Sequence, residues 1–173
     1  MNQEYEFVHN FMLDSCGFDA SDPKEKCACE QILAWEEAGV VVPIIPHSVL
    51  KEIEHPRTPR LKKERARGLV STYDLGLNAE QRKKIDKIKE ILAGKEEIEK
   101  YGSDALHVLI AHDSADYFIT ADNRLISRRK EVENILLGMK ICKPSEFVDI
   151  VKKDKERWGK RNEWRRRMGL PPD

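Results

Sequence analysis

The chain has 173 residues, a length that predicts one domain with a buried core rather than two full domains. Its 31 basic and 31 acidic residues cancel, so an argument for binding a polyanion must be local. No uncharged run approaches the roughly 18 residues that a membrane span requires, which predicts a cytoplasmic protein that does not bind membranes.

The first half of the sequence alternates between predicted strands and helices. Residues 5–13 (YEFVHNFML) predict a first strand that Asp14 and Ser15 end. An amphipathic helix over residues 24–39 follows and stops at Gly39. Residues 40–45 then predict a short second strand, and residues 49–55 a compact helix that ends before Pro56.

The middle of the sequence predicts a helical elaboration over about residues 57–101. It begins with a strongly basic segment at residues 57–67, where six bases and one acid give a net charge of +5. The chain from residue 68 to residue 101 looks helical, with breaks near residues 76–78 and at Gly94. We expect this elaboration to lie over one side of the core.

The last part of the sequence completes an alternating pattern. Ser103 is the predicted N-cap of a helix over residues 104–112, which is apolar nearly all round and therefore buried. A third strand at residues 117–120, a helix at 123–137 and a last strand at 140–142 follow. This order predicts an α/β fold with a mostly parallel sheet and helices on both faces.

Four acids stand at the ends of these elements. Asp14 ends the first strand, Glu52 lies in the helix after the second, Asp104 begins the buried helix and Asp122 follows the third strand. A parallel sheet brings such ends to one edge, where the carboxylates would repel one another unless a proton or a cation compensates them. Oxygen ligands suit Mg²⁺ or Mn²⁺, which can activate a water and neutralise a phosphodiester. The pattern predicts metal-dependent phosphodiester hydrolysis.

Each of these residues also has a structural explanation when it is taken singly. Asp14 can end a strand in a turn, Asp104 can favour a helix N-terminus through the dipole, and Glu52 can be a surface glutamate. His107, one turn after Asp104, can approach the acids or pack in the core. The four cysteines have no zinc-site spacing and are expected to be reduced and mostly structural.

Four stretches of the sequence together resemble a PIN-domain ribonuclease, the group that includes VapC-type toxins and RNA-processing enzymes. They are FMLDSCGF, IIPHSVLKEIEH, GSDALHVLIAHDSADYFITADNRLI and MKICKPSEFVDIV, and the similarity covers about residues 5–150. The resemblance implies a Rossmann-like three-layer α/β/α sandwich and an endoribonuclease that uses Mg²⁺ or Mn²⁺ and leaves 5′-phosphate and 3′-hydroxyl ends. Its partners would be RNA, an antitoxin protein in the case of a toxin, and a second copy in a homodimer.

The resemblance also implies roles for individual residues. The catalytic acids that hold the metal would be Asp14, Glu52, Asp104 and Asp122. Thr120 and Ser15 would support them through hydrogen bonds. The sequence departs from the family pattern after Asp122, where Asn123 and Arg124 stand instead of the further acid of some relatives, which argues against a second strongly bound ion.

Two basic segments are candidates for contact with RNA. The better one follows the helix of Glu52, where phosphate-binding charge could line the cleft; its bases are Arg57, Arg60, Lys62, Lys63, Arg65 and Arg67. The other, at residues 151–173, is a basic C-terminal tail or an appended helix beyond a nuclease domain of residues 1–150. Its Trp158 and Trp164 can stack on bases or dock the helix on the domain.

Other functions remain open on the sequence alone. A catalytically weak PIN-like RNA-binding module would keep the scaffold but bind metal poorly. An RNA-processing nuclease or a DNA-directed nuclease would use the same acids on another substrate.

Overall fold

The computed structural model describes residues 10–18, 20–72 and 76–171 of the chain. Its strands are β1 (Asn10–Leu13), β2 (Val42–Ile45), β3 (Val70–Ser71), β4 (Tyr117–Ile119) and β5 (Lys140–Cys142). Its α-helices are α1 (Pro23–Glu37), α2 (His47–Ile53), α3 (Arg60–Arg67), α4 (Ala79–Ala93), α5 (Gly102–His112), α6 (Asn123–Ile135) and α7 (Pro144–Arg167). Short 3₁₀ turns occupy Ser15–Phe18 and Ile98–Tyr101. The predicted first strand began at residue 5, and residues 5–9 lie outside the described ranges.

The strands form one parallel sheet in the order β3-β2-β1-β4-β5, with helices on both faces. Alternate side chains of a strand point to opposite faces, so each strand contributes to two cores. Met12 and Phe118 pack with α4, α5 and α6, whereas Phe11 and Leu13 pack with α1, α2 and α7. All four are at most 1% exposed. The predicted three-layer α/β/α sandwich around a parallel sheet is confirmed.

Two details of the predicted elements are wrong. The chain from residue 68 was predicted to be helical, but Val70–Ser71 forms the edge strand β3, which pairs with Ile44 and Ile45 of β2. A strand of two residues is too short to give a periodic pattern. Ser103 is not an N-cap, because α5 begins at Gly102 directly after a 3₁₀ turn and has no side-chain cap.

Residues 151–167 of the predicted C-terminal segment belong to a longer helix that begins before the segment. The helix α7 runs without a break for 24 residues across the expected boundary at residue 150. Val148 and Val151 on either side of that boundary are buried in the same core cluster as the sheet. Trp158 is half-buried, but Trp164 is 56% exposed, so the two tryptophans do not dock equally.

A buried carboxylate joins the first helix to the start of the last. Glu25 of α1 accepts hydrogen bonds from the backbone N–H and the hydroxyl of Ser145, both at 2.9 Å. Ser145 lies in the first turn of α7, where backbone N–H groups have no partner within the helix. Glu25 therefore caps α7 from another element.

We expect Glu25→Ala to lower the free energy of unfolding by about 2 kcal/mol, because it removes two charge-assisted hydrogen bonds and leaves buried donors unpaired. Urea unfolding followed by circular dichroism measures the change. Glu30→Ala removes an exposed acid of the same helix and is the matched control, for which we expect almost no effect. Equal midpoints for the two variants would contradict the capping role.

None of the helices in residues 10–18, 20–72 and 76–171 is both long enough and apolar enough to cross a membrane.

Candidate active site

The candidate site lies at the carboxyl ends of β1 and β4. The strand order runs outward from β1 to β2 and β3 on one side and to β4 and β5 on the other. Open α/β sheets bind ligands in the crevice at such a switch point, beyond the carboxyl ends of the strands. Asp14 follows β1 directly, and its backbone N–H donates to the carbonyl of Ile119 at the end of β4 (3.0 Å). Thr120 and Asp122 come just after Ile119 in the sequence, so they lie at the same edge of the sheet.

The carboxylate of Asp14 is held by hydrogen bonds from both strand ends. Its Oδ1 accepts from the backbone N–H of Ser15 at 2.7 Å. Its Oδ2 accepts from the hydroxyl of Thr120 at 2.8 Å and from the thiol of Cys16 at 3.1 Å. The supporting role predicted for Thr120 therefore has a direct contact in the structure. Ser15 supports the same carboxylate through its backbone.

These contacts set the charge state of Asp14. Burial raises the pKa of its carboxyl, but the nearby imidazole of His107 and the hydrogen bonds from Cys16 and Thr120 act in the opposite direction. The net result is a pKa below the ordinary value. Asp14 is therefore an ionised and immobilised carboxylate at neutral pH.

Cys16 belongs to the site, a role that was not predicted from the sequence. Its Sγ lies 3.1 Å from the Thr120 hydroxyl and accepts a hydrogen bond from the backbone N–H of Ala121, also at 3.1 Å. Burial and the neighbouring charge of Asp14 raise the pKa of this thiol well above its usual range. Cys16 is thus a neutral thiol that ties the turn after β1 to the end of β4. Its position within the first family-like motif was the only available signal.

His107 lies between two of the predicted acids. It is 1% exposed, with Nδ1 3.6 Å from Asp14 Oδ1 and Nε2 3.8 Å from Glu52 Oε2. Both distances exceed a hydrogen bond. Glu52 Oε1 lies 3.3 Å from the hydroxyl of Ser15, which donates to it. The structure therefore brings Glu52 and Asp14 to the same two neighbours, and His107 is both buried and close to the acids.

Asp104 is the acid of the site whose pKa is raised. It is half-buried in the first turn of α5. Burial raises the pKa of its carboxyl, and the charges of Asp14 and Asp122 raise it further. The sequence predicted that one member of the acid group would tend to hold a proton, and Asp104 is the residue whose pKa moves in that direction.

Asp122 forms an ion pair with the side chain of Arg124. It is the N-cap of α6, where it accepts a hydrogen bond from the backbone N–H of Arg124 at 2.8 Å. The guanidinium of Arg124 lies 3.2 Å from Asp122 Oδ2 and 5.4 Å above the ring of Tyr101. A side-chain cation therefore compensates one of the acids.

The sequence matches no model of a known protein family and no curated protein. The resemblance to PIN-domain ribonucleases therefore stays a prediction that rests on the motifs of the sequence.

The donor chemistry of the acids fits a hard divalent cation, because the four predicted ligands offer only oxygen. In the part of the chain that the structure describes, however, no three Asp, Glu, His or Cys side chains lie close enough together to hold an ion as they stand. Glu52 has a side chain that is 52% exposed, so it has room to rotate. Asp122 would have to break its ion pair with Arg124 before its carboxylate could bind the cation. Binding of Mg²⁺ or Mn²⁺ would therefore require these side chains to move, and it stays a prediction.

A cavity of about 780 Å³ lies beside Glu52, within the size range of small-ligand sites. Leu77, Leu106 and Ile110 give it an apolar part, and Ser103 places it next to Asp104. Its lining includes the base Lys51 but, among the described residues, none of the six bases predicted to line the cleft.

Those six bases lie on α3 or just before it, and several have acidic neighbours. Arg60 pairs with Glu64 at 2.6 Å, and Arg67 makes two hydrogen bonds of 2.7 Å with Glu54. Arg65 lines a groove that it shares with acids of α1. Contact between these bases and RNA stays a prediction, and such contact would have to break exposed ion pairs that are each worth little.

Proposed function

We propose that the protein is a PIN-like endoribonuclease that depends on Mg²⁺ or Mn²⁺ held by Asp14, Glu52, Asp104 and Asp122. One observation carries this proposal. Asp14 and Asp122 follow the neighbouring strands β1 and β4 at the switch point of the sheet, and Asp104 lies close enough to both that their charges add to burial in raising its pKa, so negative charge is concentrated where such folds bind ligands. A divalent cation would relieve that repulsion.

The residues of the site have distinct tasks in this proposal. Asp14 is the fixed ligand, because Ser15, Cys16 and Thr120 immobilise its carboxylate in the ionised form. Glu52 is the ligand that would move into place when the ion binds, because its side chain is half-exposed. When bound, the cation would supply activation of a water and neutralisation of charge on the scissile phosphodiester.

Arg124 gives the site a second source of positive charge. Its side chain is 62% exposed, so the guanidinium can turn from Asp122 towards a phosphate, for which its planar donors are well suited. An arginine at this position supports a mechanism with a single strongly bound ion. RNA as the substrate, an antitoxin partner and a homodimer rest on the sequence resemblance and stay predictions.

Incubation of the purified protein with end-labelled RNA or DNA, in Mn²⁺ or in EDTA, tests the proposal. We expect RNA to be cut only with the metal, with 5′-phosphate ends on the products. DNA should survive the same treatment. Cutting that persists in EDTA, or intact RNA at saturating Mn²⁺, would contradict the proposed activity.

A catalytically weak RNA-binding module is the second candidate. It is favoured by the ion pair between Asp122 and Arg124 and by the absence, in the described residues, of three donors ready to hold an ion. Calorimetric titration with Mn²⁺ separates the candidates. The module would bind RNA in gel-shift assays but would show no saturable binding of Mn²⁺ in the titration. The nuclease would bind both RNA and Mn²⁺.

We expect Arg124→Ala to increase the affinity for Mn²⁺ by roughly three- to fivefold, because Asp122 no longer has to exchange an exposed ion pair for the cation. The same titration measures this change. Arg128→Ala is the matched control, since Arg128 lies on the same helix and pairs with Glu131, another α6 residue. A lower affinity in Arg124→Ala, or an equal increase in the control, would contradict the competition between Arg124 and the ion.

A further inference from the structure

The buried imidazole of His107 has a nitrogen without a partner. Nε2 is inaccessible to solvent and has no hydrogen-bond partner among the described residues. The neighbouring residues of α5, Val108 and Leu109, are buried and apolar. A buried polar nitrogen without a hydrogen-bond partner is costly, and an apolar side chain would fill the space without that cost. A buried histidine with an unpaired nitrogen at this position therefore indicates a role beyond packing.

The group that faces this nitrogen is the carboxylate of Glu52. Its Oε2 lies 3.8 Å from Nε2, so a movement of about 1 Å would bring the two atoms to the usual hydrogen-bond length of about 2.9 Å. Glu52 is able to make this movement. Its side chain is 52% exposed, against 14% for Asp14 and 24% for Asp122.

The other nitrogen of the ring faces the other side of the site. Nδ1 lies 3.6 Å from Asp14 Oδ1, the atom that also accepts the backbone N–H of Ser15. One ring thus faces the end of β1 through Nδ1 and the helix α2 through Nε2. It spans two carboxylates that come from different elements and that the proposed function assigns to one ion.

We propose that His107 is a positioning residue that holds Glu52 at a fixed separation from Asp14 and so prepares the site for the cation. This proposal rests on the proposed function and adds to it a residue outside the four acids. Without the ring, the half-exposed Glu52 would populate several rotamers, and binding the ion would have to order them. Groups that orient metal ligands in this way typically contribute about 10- to 100-fold to metal affinity.

Three substitutions separate this role from simple packing. His107→Gln places an amide nitrogen near the position of Nε2 and can still hold Glu52. His107→Asn places its amide near Nδ1 and cannot reach Glu52. His107→Phe keeps a ring of similar size and has no hydrogen-bonding group. His112→Asn, on the same helix but outside the site, is the matched control.

The experiment is calorimetric titration of the intact chain with Mn²⁺, after thermal melting has established that each variant is folded. We expect His107→Phe and His107→Asn to lose about 10- to 100-fold in Mn²⁺ affinity. We expect His107→Gln to stay within about threefold of the wild type, as should the control. A purely structural histidine would not distinguish between the two amides.

Two results would overturn this inference. Unchanged Mn²⁺ affinity in folded His107→Phe would remove any positioning role, and equal losses in the Gln and Asn variants would exclude the specific link to Glu52. Both results can be obtained only if the wild type binds Mn²⁺. Failure of the wild type itself to bind would instead overturn the proposed function, so the two failures are distinguishable.

Discussion

Asp14→Asn is expected to lose on the order of 1000-fold in RNA cleavage, the loss typical of removing one preorganised electrostatic group. It should also lose about 2 kcal/mol in the free energy of unfolding, because the carboxylate accepts charge-assisted hydrogen bonds from Thr120 and Cys16. An amide offers one acceptor oxygen in place of two. Cleavage rates and urea unfolding measure the two effects on the same preparation.

The pH dependence of the stability loss has a definite sign. The pKa of Asp14 is lower in the folded protein than its ordinary value, so the ionised group stabilises the fold above about pH 3.9, the ordinary pKa of an aspartate. This contribution is lost as the pH falls through the folded-state pKa. The difference between wild type and Asp14→Asn should therefore be fully present at pH 7 and shrink in strong acid. A difference that grows on acidification would contradict the assignment.

Asp104→Asn is expected to lose a similar factor in cleavage but to become more stable at neutral pH. Burial and the charges of Asp14 and Asp122 raise the pKa of Asp104, so its ionised form destabilises the protein that holds no cation. The stabilising contribution of this group is present below about pH 3.9 and is lost as the pH rises through the raised pKa. We expect a gain of up to about 1 kcal/mol at pH 7.

Urea unfolding of this variant and the wild type at pH 7 and at about pH 3 measures the gain, which should largely disappear at the lower pH. Asp113→Asn is a suitable control, because Asp113 follows the other end of α5, where it contacts His112 and Gln81. The opposite signs expected for Asp14→Asn and Asp104→Asn are the most specific electrostatic consequence of the proposed site. A loss of stability in both would contradict the repulsion.

The framework of the fold could be predicted from the sequence because it depends on long periodic segments. The buried strands β1 and β4 and the apolar helix α5 give strong patterns, and their alternation requires a parallel sheet. The edge strand β3 and the start of α5 could not be predicted in the same way. They depend on two backbone pairings and on a 3₁₀ turn, which leave no periodicity in the sequence.

The site could be predicted as far as strand ends define it. Asp14 and Thr120 meet because β1 and β4 are neighbours, a consequence of the sheet order. The contacts of Cys16, the ring position of His107 and the pairing of Asp122 with Arg124 depend on side-chain rotamers, on which a sequence pattern carries no information. These contacts hold the carboxylate of Asp14 in place and pair Asp122 with a cation. Asp104 is left as the acid whose pKa is raised.

Titration of the intact wild-type chain and of Asp14→Asn with Mn²⁺, followed by calorimetry, tests most directly whether the acids act together as one cation site. We expect saturable binding to the wild type that Mg²⁺ competes for, and no saturable binding to Asp14→Asn. The absence of binding heat in the folded wild type, or the same affinity in both proteins, would contradict the account.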